Sequence, residues 1–221
     1  MSRPLVLIGA GEFAQIACEY FEHDSDYDVA AFGVERAYLT QPRLAGHPVV
    51  ACETLETDYP PGEVEVFVAI PASQLNRLRT RLYQELKRRG YRFATYVSTR
   101  AFVWRNAEVG ENSFIFEGNV IQPFVRIGNN CILWSGNHVG HRTVVHDNVF
   151  IASHAVVSGY CEIGAGSFVG VNTTFNDHVK VAPDNVIGSG ALVTRDTEPG
   201  RIYVGSPARA VPDKSSFDVK L

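Results

Sequence analysis

No stretch of the 221-residue sequence approaches the ~18 consecutive apolar residues needed to cross a bilayer. Neither sign of charge dominates. The 20 Lys and Arg against 24 Asp and Glu leave a formal net charge of −4, too weak a field to gather nucleic acid or an anionic membrane surface. Cysteine is scarce, and Cys18, Cys52, Cys131 and Cys161 form no CxxC pair. That spacing excludes a zinc finger and fits reduced thiols in a cytoplasmic protein. The opening from Met1 to Gly9 is interrupted by glycine too soon for a signal peptide. A cytoplasmic protein without nucleic-acid or membrane partners is the expectation. At 45% hydrophobic and 20% charged residues the composition is globular, and the length suits one large domain or two small ones.

What is present is a repeat. Stepping by six from Val97 to Val193 visits seventeen positions, and all are aliphatic or phenylalanine. Chance would produce that roughly once in a million. Glycine often follows the apolar residue, and small or modest side chains such as Cys131, Thr143, Ala155, Cys161 and Ala191 stand four places after it. This pattern predicts a solenoid of short strands with one inward apolar residue each and a small residue at each corner. Three hexads close a coil, and about five coils stack roughly 4.8 Å apart.

Residues 1–96 lack the hexad register. An apolar run, Leu5–Ile8, ends in Gly9-Ala-Gly11-Glu-Phe-Ala14 and leads into a helical stretch through Phe21. Further strands are expected at Asp28–Gly33 and Val64–Ile70, and a basic amphipathic helix at Gln74–Arg89. Strand, glycine turn and helix in this order predict a small parallel α/β domain. The turn would aim the backbone amides of Gly9, Gly11, Glu12 and Phe13 at an anion, most naturally a diphosphate. Tight strand–helix packing alone would use the same glycines. Glu35, at the end of the second strand, stands where a ribose-binding acid would, but the segment is too short for a full dinucleotide fold.

Together the L-I-G-A-G start, the uninterrupted hexads, and the segments Ser135–Asn148 and Ile151–Gly159 resemble the bacterial hexapeptide-repeat sugar acetyltransferases of the sialic acid O-acetyltransferase-like family. Within that family they resemble most the type that acetylates the 4-amino group of GDP-perosamine for O-antigen and lipopolysaccharide biosynthesis. The resemblance spans essentially the whole chain. It implies a short Rossmann-like α/β domain (1–96) that holds a nucleotide sugar, a left-handed parallel β-helix (97–200) and a C-terminal tail (201–221). It also implies acetyl-CoA as cosubstrate, bound between the β-helices of a homotrimer, and no metal. Acetylation of a UDP-linked 4-amino sugar, O-acetylation of a sugar of the sialic acid type, and a non-catalytic β-helix scaffold remain open.

His141 lies two residues past the inward Val139, at a corner, and Gly159 is eighteen residues on, one coil away. A histidine can take the proton from an attacking amine, and a nearby backbone N–H can stabilise the oxyanion. The resemblance implies the same roles, His141 as base and Gly159 as oxyanion donor. Several relatives place an acid directly after this histidine, whereas here Arg142 follows, so the group that orients the ring is unidentified. Asp177 shares the column two coils off, beyond hydrogen-bond reach of His141. His138 is expected at a corner near His141, against the sugar, the pantetheine arm or a neighbouring subunit.

Gly159, Gly164, Gly170, Gly188 and Ala191 would let the pantetheine arm approach the backbone. Arg209 or Arg201 would meet the CoA phosphates, and Glu35 would accept the paired N1–H and N2–H of guanine. The β-helical γ-type carbonic anhydrases use two histidines five apart and a third two coils earlier. His141 and His146 have that spacing, but Arg105 stands where the third would be, and a cation cannot replace an imidazole ligand. Cys131 and Cys161 should face inward and be inert, which leaves direct attack on acetyl-CoA.

Overall fold

β1 (Arg3–Ile8) is fully buried from Leu5 to Ile8, as a strand covered on both faces should be. The computed structural model describes residues 3–220 and places this strand inside a six-stranded sheet. The others are β2 (Tyr27–Val34), β3 (Arg43–Leu44), β4 (His47–Ala51), β5 (Glu65–Val68) and β6 (Arg92–Phe93), in the order β3-β4-β2-β1-β5-β6. Only the β3–β4 hairpin pairs antiparallel. α1 (Glu12–His23) packs Phe13, Ala17 and Phe21 against Leu5, Leu7 and Phe67 on one side of the sheet. α2 (Leu55–Asp58) is a single turn, and α3 (Arg77–Arg88) sets Leu82 and Leu86 against Val6 and Val66 on the other side.

The sequence expectation of a small parallel α/β domain therefore holds, with two differences in detail. The β3–β4 hairpin was not anticipated. α3 starts at Arg77 instead of Gln74, because Gln74, Leu75 and Asn76 all have left-handed backbone with φ of 54°, 51° and 63°. That conformation ends any right-handed helix before it begins.

From Tyr96 the chain makes two-residue strands every six residues, to Leu192–Val193. Strands eighteen residues apart pair in parallel and in register, as Phe114 with Ile132 and His138 with Val156. The result is a three-sided parallel β-helix. The hexad residues, Ile115 and Ile121 through Ile187 and Val193, fill one continuous core.

The three faces differ in what they point outward. The first carries Tyr96, Phe114, Ile132 and Phe150, all buried beneath α1. The second carries Phe102, Val120, His138, Val156, Thr174 and Leu192, with Phe102 53% and Val156 43% exposed. The third carries Glu108, Arg126, Val144, Glu162 and Lys180, a mostly charged row. Arg201–Val204 and Arg209–Ser215 are strands that extend the first face at the C-terminal end of the solenoid.

Polar groups tie the small domain to the β-helix. An asparagine ladder climbs the edge between the third and first faces. Asn112 Nδ2 donates to Asn130 Oδ1 at 2.6 Å, and Asn130 Nδ2 to Asn148 Oδ1 at 2.8 Å. The Val68 N–H of β5 donates to Asn112 Oδ1 at 2.8 Å, which joins the ladder to the sheet. Arg79 is fully buried and donates to the Asn130, Ile70 and Pro71 carbonyls. Burial pushes its guanidinium down to about 10.

Candidate active site

His141 stands at the edge where the second face turns into the third, between the strands His138–Val139 and Val144–Val145. It is exposed. The next coil brings Gly159 directly onto it. A Cβ on Gly159 would lie 2.6 Å from His141 Cε1 and 2.9 Å from Nε2. Gly159 does not have positive φ, so it is required for room and not for backbone freedom. Tyr160 presents its ring edge-on to the imidazole with centroids 5.0 Å apart.

Two polar contacts at this edge were not anticipated. Gln122, one coil before, accepts the His141 backbone N–H on Oε1 at 2.9 Å, and the same oxygen is 3.3 Å from His141 Nδ1. Both contacts hold the residue against the preceding coil. Asp177, one coil beyond Gly159, accepts the Gly159 N–H on Oδ1 at 2.8 Å. The amide expected to receive an oxyanion thus already has a partner.

His138 is not at a corner. It lies in the strand, on the outward row of the second face between Val120 and Val156, because it immediately precedes inward Val139. The expected pantetheine contacts also separate. Gly159 is on the edge between the second and third faces, Gly164 on the edge between third and first, and Gly170 and Gly188 on the edge between first and second. Six residues advance the chain by one side of the prism, so these glycines cannot line one groove of one chain.

Each of those glycines has a local reason. A Cβ would fall 2.5 Å from Pro183 N at Gly164, 2.6 Å from Ser189 N at Gly170 and 2.8 Å from a Val204 methyl at Gly188. Ala191 is 1% exposed in the solenoid core and cannot touch a ligand. Arg209 remains an exposed cation beside Arg195 at the C-terminal end of the solenoid.

A cavity of about 370 Å³ lies in the small domain, lined by Gly9, Gly11, Glu35, Tyr38, Thr40 and Gln41 among others. Gly9 has φ of 128°, and a Cβ there would meet the Ala69 carbonyl oxygen at 2.8 Å. Its N–H donates to Gly33 O at 2.8 Å, which removes it from the expected set of phosphate donors. The α1 ladder begins with Gln15 N–H on Gly11 O, so the Glu12 and Phe13 amides sit at the open helix N-terminus.

The Glu12 and Phe13 side chains do not line the cavity. Phe13 is 5% exposed and packs edge-on against Phe114 at 5.7 Å, so it belongs to the core between the domains. Glu35 lines the cavity with both oxygens bonded to Arg81, at 3.1 and 2.9 Å. Each oxygen retains a further lone pair for a ligand N–H. Tyr38, Thr40 and Gln41 were missed because they lie in an irregular segment with no periodicity to read.

All four cysteines are buried thiols. Burial pushes Cys131 up to about 12 and raises Cys161, as expected of inert residues. Cys18 has neighbours that spacing alone did not bring together. Its sulfur and the ligand atoms of Glu22 and His47 lie within 4.8 Å of one another, with Glu22 already paired to His47 at 2.8 Å.

The family model described as bacterial transferase hexapeptide (six repeats) matches residues 106–141, which end at the candidate base. Those residues carry the hexapeptide repeat that the model describes. A search of curated proteins returned no match.

Among solved structures, perosamine N-acetyltransferase from Caulobacter crescentus in complex with CoA and GDP-perosamine is 25% identical. The alignment covers 94% of this chain and 97% of that one, with a TM-score of 0.85. The acetyltransferase domain of PglB from Neisseria gonorrhoeae is 24% identical over 95% of this chain and all of that one, with a TM-score of 0.86. WeeI from Acinetobacter baumannii is 22% identical over 95% of this chain and all of that one, with a TM-score of 0.75. The expected fold, an α/β domain followed by a left-handed parallel β-helix, is the fold these chains share.

Proposed function

We propose that this chain is an acetyl-CoA-dependent N-acetyltransferase of nucleotide-linked amino sugars, with the 4-amino group of GDP-perosamine as acceptor and His141 as general base. The observation that carries the reading is the His141 imidazole held against Gly159 and Gln122 on an open edge. The surrounding fold superposes over nearly its full length on an enzyme solved with CoA and GDP-perosamine. In the reaction the free amine attacks the thioester carbonyl carbon and His141 Nε2 takes the amine proton. The carbon–sulfur bond then breaks, and the imidazolium returns its proton to the leaving thiolate. No thiol of the chain takes part, in keeping with four buried cysteines.

For Gly159 to stabilise the oxyanion, the acyl oxygen must replace Asp177 Oδ1 on its N–H. The cavity in the small domain, beside the Gly9–Gly11 turn and Glu35, supports a nucleotide-linked acceptor. Glu35 suits guanine, whose N1–H and N2–H can both be accepted by one carboxylate, and its pairing with Arg81 holds it in place.

The placement of the two sites supports assembly. The small domain covers the first face, while His141 stands on the edge opposite that face. A nucleotide sugar in the pocket of one chain must therefore reach the histidine of another. The partly exposed row on the second face, apolar at Phe102, Val120, Val156 and Leu192, is the surface on which copies would meet. A homotrimer with sites between subunits, acting in cytoplasmic synthesis of O-antigen sugars, accommodates both features.

The test is thiol release from acetyl-CoA with GDP-, UDP- and dTDP-linked 4-amino sugars. The expected result is turnover with an amino sugar, preference for the GDP form, and a loss of roughly 100- to 10,000-fold in kcat for His141→Ala. Failure to release thiol with every amino sugar would remove the reading.

A further inference from the structure

We propose that Gln122 is a positioning residue for acyl transfer, whose side-chain oxygen fixes the tautomer of His141 with the proton on Nδ1 and the lone pair on Nε2. The proposal rests on the reading of His141 as the base. Gln122 directly follows the inward Ile121 and lies on the same edge as His141, one coil earlier.

Its Oε1 is 2.9 Å from the His141 backbone nitrogen and 3.3 Å from Nδ1. A backbone N–H can only donate. The Gln122 atom facing it must therefore be the carbonyl oxygen, which settles which way the amide points. That oxygen carries no hydrogen, so Nδ1 must bring one, since two facing lone pairs would repel. A neutral imidazole has a single N–H, and Nε2 is left bare.

The packing around the ring restricts any flip. Gly159 lies against it on the side of the next coil, and Tyr160 stands edge-on at 5.0 Å. The charged and titratable groups nearby are otherwise engaged. Asp177 accepts the Gly159 amide. Arg142 turns its guanidinium over the Phe124 ring, 4.4 Å from the centroid. His178 stacks on Tyr160 at 4.8 Å.

Gln122 thus performs the part that a carboxylate commonly plays behind a catalytic histidine. It does so through the dipole of a neutral amide in place of a negative charge.

The experiment combines ¹⁵N NMR of histidine-labelled full-length protein with steady-state kinetics. The wild type should show His141 protonated on Nδ1, and Gln122→Ala should show a mixture of tautomers. Gln122→Ala should lower kcat by about 10- to 100-fold with KM for the amino sugar unchanged. Gln122→Glu keeps the acceptor oxygen and should restore most of kcat. Its added charge should move the acid limb of the pH–rate profile to higher pH, a change that a merely structural role would not produce. An unaltered tautomer in Gln122→Ala, or equal losses in Ala and Glu variants with the acid limb unmoved, overturns the proposal. Full activity in His141→Ala would instead overturn the assignment of the base, while the NMR result would still report on Gln122.

Discussion

The His141 imidazole and the backbone of Gly159 are in such close contact that a single methyl group on Gly159 would come within 3.0 Å of three ring atoms. Gly159→Ala must therefore displace the ring, even though the local backbone tolerates alanine. We expect kcat to fall about 100-fold, as misplacement of a reacting group by an ångström does. The melting temperature should change little because the ring faces solvent. Equal activity in the alanine variant would show that the contact does not matter to the chemistry.

Asp177→Ala separates the two duties open to the Gly159 amide. The carboxylate now occupies that N–H at 2.8 Å. If the acyl oxygen takes its place during the reaction, removal of the competitor should lower KM for acetyl-CoA by about 2- to 10-fold, the worth of one net hydrogen bond. Initial-rate measurements at varied acetyl-CoA check this. An unchanged KM and kcat would mean that the amide never meets the acyl group.

Arg79 joins the small domain to the β-helix from a fully buried position, with carbonyl oxygens as its only hydrogen-bond partners among the described residues. Arg79→Met removes the donors and strands carbonyls on both sides of the joint. The expected cost is about 3 kcal/mol, at 1–3 kcal/mol per orphaned group, read by urea unfolding. Arg79→Lys should recover little, because one ammonium cannot span the acceptors that a planar guanidinium reaches.

Acid should loosen the same joint through Asp24. Desolvation pushes this carboxyl up, but hydrogen bonds from Thr99, Tyr96 and Ser98 outweigh it and hold Asp24 at about 2, against an ordinary 3.8. A depressed pKa means stability that is complete above the ordinary value and lost as pH falls through 3.8 toward 2. Asp24→Asn should flatten the stability profile in that window, as followed by thermal melts at stepped pH. An unchanged slope would show that other carboxylates govern acid unfolding.

Much of the architecture was legible because a six-residue period leaves one mark in each short strand. From Val97 to Val193 no insertion breaks it, so the inward set could be written down without coordinates. The stacking of His141 on Gly159 follows from the same period, since eighteen residues is one coil. Side-chain reach was not legible. Gln122 and Asp177 act one coil away through their own conformations, which a backbone period does not encode.

The period also misled where its phase was ignored. Gly159, Gly164 and Gly170 look alike in sequence yet sit on three different edges. At Gly164 and Gly170 it is the next coil's backbone that leaves no room for a side chain, whether or not a ligand lies near. In the small domain Gly9 and Gly11 line a cavity. The bond from Gly9 to Gly33 O depends on how far the β1–β2 pairing runs, which composition alone does not fix.

The asparagine ladder has a kinetic consequence. It runs unbroken from Asn148 to Asn112 and ends on the main chain of β5, the strand beside β1, whose end lines the cavity of the small domain. Tilting the small domain would break that chain of amides and pull Arg79 from its socket. Within one chain the two domains are accordingly a fixed jig and not a clamp, so that the cavity of the small domain and the His141 edge keep one set separation.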